Sequence, residues 1–122
     1  FIELPETEAG SRTAGINAAS MALADAGLLM KDLVSSVSVA RVDDKVVVDL
    51  DYAEESYDDG PVADIPVAMI PKSEEVTLLQ MDGLLSKEQL KEAIEMAKKS
   101  CNELYEIQKK ALKDKYAGGS NE

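Results

Sequence analysis

Apolar and polar positions alternate over Phe1–Leu4, the two-residue period of a strand, and Pro5 ends it. From Gly10 to Gly27 the chain reads GSRTAGINAASMALADAG. This predicts a helix over Arg12–Ala26, with Ser11 as N-cap and Gly27 as the C′ stop. Ala14, Ala18, Ala19, Ala22 and Ala26 line it, and side chains that small suit a tightly packed core helix. Val34–Val42 sets Val34, Ser36, Ser38 and Ala40 against Ser35, Val37 and Val39, again a strand. Asp43-Asp44 makes a tight turn and Lys45–Asp51 a second strand, so the pair is a β-hairpin. On that second strand Val47, Asp49 and Asp51 share one face, and Val46, Val48 and Leu50 the other.

Tyr52–Val62 is an acidic loop with glycine and proline, followed by a strand over Ala63–Ile70. Pro66 inside it calls for an edge, a bulge or an irregular start. Val76–Met81 reads as a further strand with Asp82-Gly83 as its turn. Ser86-Lys-Glu-Gln89 is a capping box. Leu90, Ile94, Ala97, Cys101, Leu104, Ile107 and Ala111 then recur at three- and four-residue steps, an amphipathic helix of about seven turns. Residues 1–116 form one domain and 117–122 a flexible tail. The order is strand, helix, hairpin, acidic loop, strand pair, long helix. That is α+β, with helices packed on a mixed or antiparallel sheet.

Charge and composition narrow the function classes. Of 122 residues, 24 are acidic and 13 basic, a net charge of −11. Broad electrostatic binding to nucleic acid or an anionic membrane is therefore disfavoured, although a small basic spot is not. The absence of histidine removes the commonest general base and zinc ligand. A single cysteine, Cys101, excludes an intrachain disulfide and a CxxC site; it lies in the apolar stripe of the last helix and reads as a buried small hydrophobe. No apolar run approaches the roughly 20 residues of a membrane span, and none of residues 1–122 reads as a signal peptide. The chain opens on Phe-Ile-Glu-Leu without methionine, so a preceding part of the natural protein is expected.

Two constellations could carry chemistry. A helix N-terminus presents unpaired N–H groups and partial positive charge. Gly10 permits close approach, Ser11 adds a hydroxyl, and Arg12 a guanidinium fork suited to phosphate oxygens. The plainer alternative is that Ser11 only caps the helix. The second constellation is Asp49, Asp51, Glu54, Glu55, Asp58, Asp59 and Asp64, oxygen ligands suited to Mg²⁺ or Mn²⁺. By pattern alone a solvated acidic loop is the better account of most of them. Asp64 differs, because Val62, Ala63, Ile65, Pro66 and Val67 surround it, and a carboxylate in such a strand is paired or functional. An anion site beside a carboxylate-held metal would supply the parts of a phosphoryl-transfer centre.

Glu8-Ala-Gly-Ser-Arg-Thr-Ala-Gly15, Asn17-Ala-Ala-Ser20, Ala22–Gly27, Asp49-Leu-Asp-Tyr52, Ala63-Asp-Ile-Pro-Val67 and Leu78-Leu-Gln-Met-Asp-Gly83 together resemble the second half of an RNase PH-type domain. Within that superfamily the resemblance is to the catalytic RNase PH-like subunit of the archaeal exosome, and it covers nearly the whole chain. It implies an RNase PH-like fold and a phosphate-dependent 3′→5′ exoribonuclease of the cytoplasm. Inorganic phosphate, the co-substrate, attacks the last phosphodiester of single-stranded RNA and releases nucleoside diphosphates. It also implies a hexameric ring in which catalytic subunits alternate with non-catalytic RNase PH-like ones, together with RNA-binding cap proteins. In the family the Gly-Ser/Thr-Arg motif binds phosphate; here that is Gly10, Ser11 and Arg12. Two acidic residues assist metal binding and protonation of the leaving group. The second falls on Asp64. The first falls on Glu55 counting forward from Asp49, or on Asp58 counting back from Asp64, because the acidic loop is longer here. On the second count Asp58 and Asp64 hold the metal. The family's RNA-binding arginines lie largely in the N-terminal half, so residues 1–122 alone are expected neither to bind RNA well nor to turn over. The alternative within the family is a ring subunit that kept the fold without catalysis.

Overall fold

Val37 stands opposite Val67 and Val39 opposite Ile65 across two antiparallel strands, and this register builds the core. Directly opposed residues share a face, so the odd-numbered positions of both strands point one way. The computed structural model describes residues 1–49 and 51–117, with the backbone only for Glu55. Its elements are α1 (Ser11–Asp25), β1 (Ser35–Val42), β2 (Lys45–Val48), α2 (Tyr52–Glu55), β3 (Val62–Ile70), β4 (Glu75–Leu79), β5 (Asp82–Gly83) and α3 (Lys87–Ala117). The sheet runs β2-β1-β3-β4, every pairing is antiparallel, and β5 pairs with β3 beyond the end of β4.

The 31-residue α3 covers the odd face. Val39, Ile65, Met69, Ala93, Ala97 and Cys101 are fully buried where helix and sheet meet. Small helix residues let the backbone approach the strands, and each large strand side chain buried this way contributes about 1.5–3 kcal/mol. The predicted capping box starts α3: Gln89 N–H donates to Ser86 Oγ at 3.1 Å and Ser86 N–H to Gln89 Oε1 at 3.0 Å. The buried stripe differs from the predicted one. It runs through Ala93, Ala97, Cys101 and Gln108, with Leu104 packed against it, while Ile107 is exposed and Ala111 lies outside.

Gln108 is buried because the first half of β1 has an open edge. β2 pairs only with Val39–Val42, so the backbone groups before that must find other partners. The amide of Asn17 takes both groups of Ser36, Ser20 Oγ accepts from Val34 N–H at 2.8 Å, and Gln108 Nε2 donates to Val34 C=O at 3.1 Å. Asp49 N–H donates to Ser38 C=O at 2.8 Å. Thus α1 docks through polar side chains along a strand edge. This corrects the expectation of a tightly packed core helix: Thr13, Gly15 and Ser20 are its buried residues, and Ala14, Ala18, Ala22 and Ala26 are exposed.

Other expectations change for equally local reasons. Phe1–Leu4 forms no strand, since no described strand lies beside it to pair. Gly10, not Ser11, is the N-cap of α1, and Ser11 is its first helical residue. Gly27 does end it: with φ at 78°, Gly27 N–H reaches Ala24 C=O and Leu28 N–H reaches Leu23 C=O, a Schellman closure. β2 stops at Val48 because Asp49 turns to φ 59°, so Asp49 and Asp51 do not share a strand face with Val47. Asp51 instead caps α2, a helical turn within the acidic loop, accepting from Glu54 N–H at 2.9 Å. Asp82-Gly83 is not a turn but strand β5. Pro66, which has no N–H to give, sits at the break between β4 and β5, where its C=O accepts from Gln80 N–H at 3.1 Å. Leu50 and the tail residues 118–122 lie outside the described residues.

Candidate functional site

Gly10 turns the chain into α1 with φ 75° and ψ 13°, a left-handed conformation that costs other residues about 1–2 kcal/mol. Its carbonyl is taken from within: Thr13 Oγ1 donates to it at 2.7 Å and Thr13 N–H at 3.0 Å. No side chain caps the helix, and among the described residues the N–H groups of Ser11 and Arg12 have no hydrogen-bond acceptor. The exposed Arg12 side chain makes no hydrogen bond or ion pair among the described residues. Two free N–H groups, a hydroxyl and an uncommitted guanidinium therefore converge at the mouth of the helix, a setting that favours an anion.

The sheet brings a carboxylate to the same place. Even-numbered residues of β1 and β3 point away from α3, and Ala40 opposes Asp64 while Ser38 opposes Pro66. Ser38 Oγ donates to Asp64 Oδ1 at 2.7 Å. Gly10 lies against this face: a Cβ built on it would stand 3.4 Å from the Cβ of Ser38. A cleft of about 160 Å³ is lined by Gly10, Ser11, Arg12, Ser38, Asp64 and Pro66, among others. A second cleft of about 210 Å³ adjoins it through Arg12, Asp64 and Pro66, and adds Gln80, Met81 and Asp82. A larger cleft of about 400 Å³ between the start of α1 and α3 shares Gly10 and Ser11 but includes neither Arg12 nor Asp64, so the chemistry points to the smaller pair.

Gly10, Ser11, Arg12 and Asp64 are thus brought together. Asp58 is not: it is exposed on the loop after α2 and lines neither of these two clefts. The side chain of Glu55 lies outside the described residues. Glu54 is committed locally, its carboxylate accepting from Asp51 N–H at 3.0 Å. Among the described residues no three carboxylate or thiol groups converge as a metal-binding cluster.

Two residues of the clefts were not singled out by sequence reasoning. Asp82 is the Cα partner of Asp64 across β3 and β5, hidden because Asp-Gly reads as a turn. The signal for it was Gly83, whose Cβ would fall 2.4 Å from Val62 C=O, a close strand approach rather than a bend. Ser38 was legible only as one more polar position on an alternating strand.

Residues 32–100 match the 3′ exoribonuclease family, domain 2. Over 118 residues the chain is 48% identical to exosome complex component Rrp41 of Methanopyrus kandleri, covering 97% of this chain and 48% of that relative. Over 116 residues it is 47% identical to the proteins of the same name from Thermococcus kodakarensis and Pyrococcus furiosus, covering 95% of this chain and 45% of each. The chain spans about half the length of these curated relatives. An antiparallel sheet beneath a long helix, matched over more than half its residues, belongs to a known lineage: the chain is a member of the 3′ exoribonuclease family and carries its second domain.

Proposed function

We propose that this chain supplies the phosphate-handling half of an exosome ring subunit that shortens RNA from its 3′ end by phosphorolysis. The observation that carries the reading is that Arg12 and Asp64, distant in sequence, line one cleft at a bare helix N-terminus. Inorganic phosphate would sit against the Ser11 and Arg12 N–H groups, the Ser11 hydroxyl and the Arg12 fork. One of its oxygens attacks the phosphorus of the last phosphodiester. A new P–O bond forms, the bond to the 3′-oxygen of the preceding nucleotide breaks, that oxygen takes a proton, and the last nucleotide leaves as its diphosphate. Asp64, which lines the same cleft, would serve the leaving oxygen.

Mg²⁺ or Mn²⁺ fits the donors present. Such ions need only one or two carboxylates and keep several waters, and Asp64 and Asp82 offer two oxygen-bearing groups on one cleft wall. When bound, the ion supplies neutralisation of the charge on the reacting phosphates. Glu55, on α2, and Asp58, on the loop after it, are the two candidates for the family's first acid, and Asp58 lines neither of these clefts.

On this reading the partners are single-stranded RNA, a non-catalytic RNase PH-like subunit completing a hexameric ring, and RNA-binding cap proteins, with the assembly working in the cytoplasm. With a net charge of −11, this half offers RNA little attraction, so the cationic RNA path belongs to the rest of the assembly. Among the described residues no helix is long and apolar enough to cross a membrane.

The test uses the full-length chain in its assembly. Labelled oligoadenylate with Mg²⁺ should yield ADP only when inorganic phosphate is added, and an Asp64→Asn assembly should yield none. An intact ring that binds the RNA and releases no ADP would replace this reading with a structural ring subunit.

A further inference from the structure

Asp64 is held by one group. Among the described residues the only hydrogen bond its carboxylate makes is the one Ser38 Oγ donates to Oδ1 at 2.7 Å. A carboxylate turns easily about its last torsion, which is broad rather than staggered. The direction in which Oδ2 faces the cleft is therefore set by whatever anchors Oδ1. We propose that Ser38 is a positioning residue for Asp64, an inference that rests on the phosphorolytic reading of this cleft.

The anchor is itself rigid. Ser38 is 2% exposed, and its carbonyl accepts from Asp49 N–H at 2.8 Å on the side away from β3. Pro66 stands opposite it across β1 and β3, a ring with no freedom in φ. Gly10 lies against it from the third side, where a Cβ would stand in ordinary contact, 3.4 Å from the Cβ of Ser38. A hydroxyl buried at such a point costs stability unless it is bonded, and the bond it makes is a charge-assisted one to the cleft carboxylate. One small side chain thus touches both halves of the site, the glycine that shapes the anion end and the acid on the facing strand.

The test compares Ser38→Ala, Ser38→Cys and Asp64→Asn in the full-length chain within its assembly, with ADP release from oligoadenylate as the rate and thermal melting as the control for folding. The cysteine keeps the volume and weakens the donor. Both Ser38 variants should melt as cooperative assemblies and lose about tenfold in kcat, with the KM for inorganic phosphate changed less than about twofold. A Ser38→Cys assembly at the wild-type rate, beside an inactive Asp64→Asn, would overturn the positioning role and leave the phosphorolytic reading intact. A rise in the phosphate KM with kcat unchanged would also overturn it, since the hydroxyl would then serve the anion end instead. Wild-type ADP release by Asp64→Asn would overturn both assignments together.

Discussion

The side-chain amide of Asn17 occupies the place of a strand beside Ser36, donating from Nδ2 to its C=O at 2.7 Å and accepting from its N–H at Oδ1 at 2.8 Å. One residue of a helix thereby finishes a ladder that β2 leaves open, and Ser36 is 1% exposed beneath it. Leucine at this position keeps the bulk and abandons two buried backbone groups, each worth about 1–3 kcal/mol when left unpaired. Asn17→Leu should therefore lower the unfolding free energy by about 2–4 kcal/mol in urea titration. Asn17→Asp should also destabilise, because a carboxylate can accept from the N–H of Ser36 but meets its C=O with a second oxygen. A stability equal to wild type in both variants would mean that water replaces the amide.

Gly10 allows the sharp entry into α1. Its φ of 75° makes alanine costly in backbone strain, about 1–2 kcal/mol, although the added carbon would stand only in ordinary contact with Ser38, at 3.4 Å from its Cβ. Gly10→Ala should lower the melting temperature by several degrees and weaken phosphate use in the assembly. Gly27→Ala is the useful comparison. Its φ is 78° and nothing lies within 4 Å of the added carbon, so it should cost stability alone.

How much of this was readable beforehand depended on whether the deciding partner was local. The Gly-Ser-Arg helix mouth, the hairpin turn, the capping box of α3 and the burial of Cys101 all follow from neighbours in sequence, and the structure reproduces them apart from the identity of the cap residue. The docking of α1 did not follow. Alanines at helical spacing signal close packing only when the opposing surface is apolar; here that surface is an open strand edge, and Asn17 and Ser20 answer it. The same limit explains Ile107 and Gln108. Periodicity selects the isoleucine, and the carbonyl of Val34, just before β1, selects the glutamine. At the site, Asp64 was visible as a charge in an apolar strand, whereas Asp82 and Ser38 became visible only with the register of β3.

Cys101 illustrates burial without chemistry. It is fully buried against the sheet, its thiol donating to Ser35 C=O at 3.6 Å, and desolvation pushes it up to about 11 from an ordinary 9.0. The folded thiol holds its proton more tightly than the unfolded one. Its contribution to stability is thus complete below pH 9 and is lost as pH rises towards 11. At pH 8 a thiol reagent should label the native chain far more slowly than the urea-unfolded chain. Equal labelling rates would show that α3 lifts from the sheet under native conditions.

Gly83 tests whether β5 matters to the cleft or merely borders it. A Cβ there would stand 2.4 Å from Val62 C=O and 2.7 Å from Ala63 Cα, and its φ of 111° is closed to other residues. Gly83→Ala should detach β5 from β3 and carry Asp82 away from Asp64, while the core between α3 and the odd face is untouched. The expected result is a full-length assembly that still forms, with a modest loss of thermal stability, and a reduced rate of ADP release. Asp82→Asn separates the two causes. It leaves β5 in place and removes only the charge, so a rate loss matching that of Gly83→Ala would place the effect in the carboxylate. If Gly83→Ala is impaired and Asp82→Asn is not, β5 serves by shaping the wall along Gln80 and Met81, and any divalent ion in the cleft is held from Asp64 without help from its cross-strand neighbour.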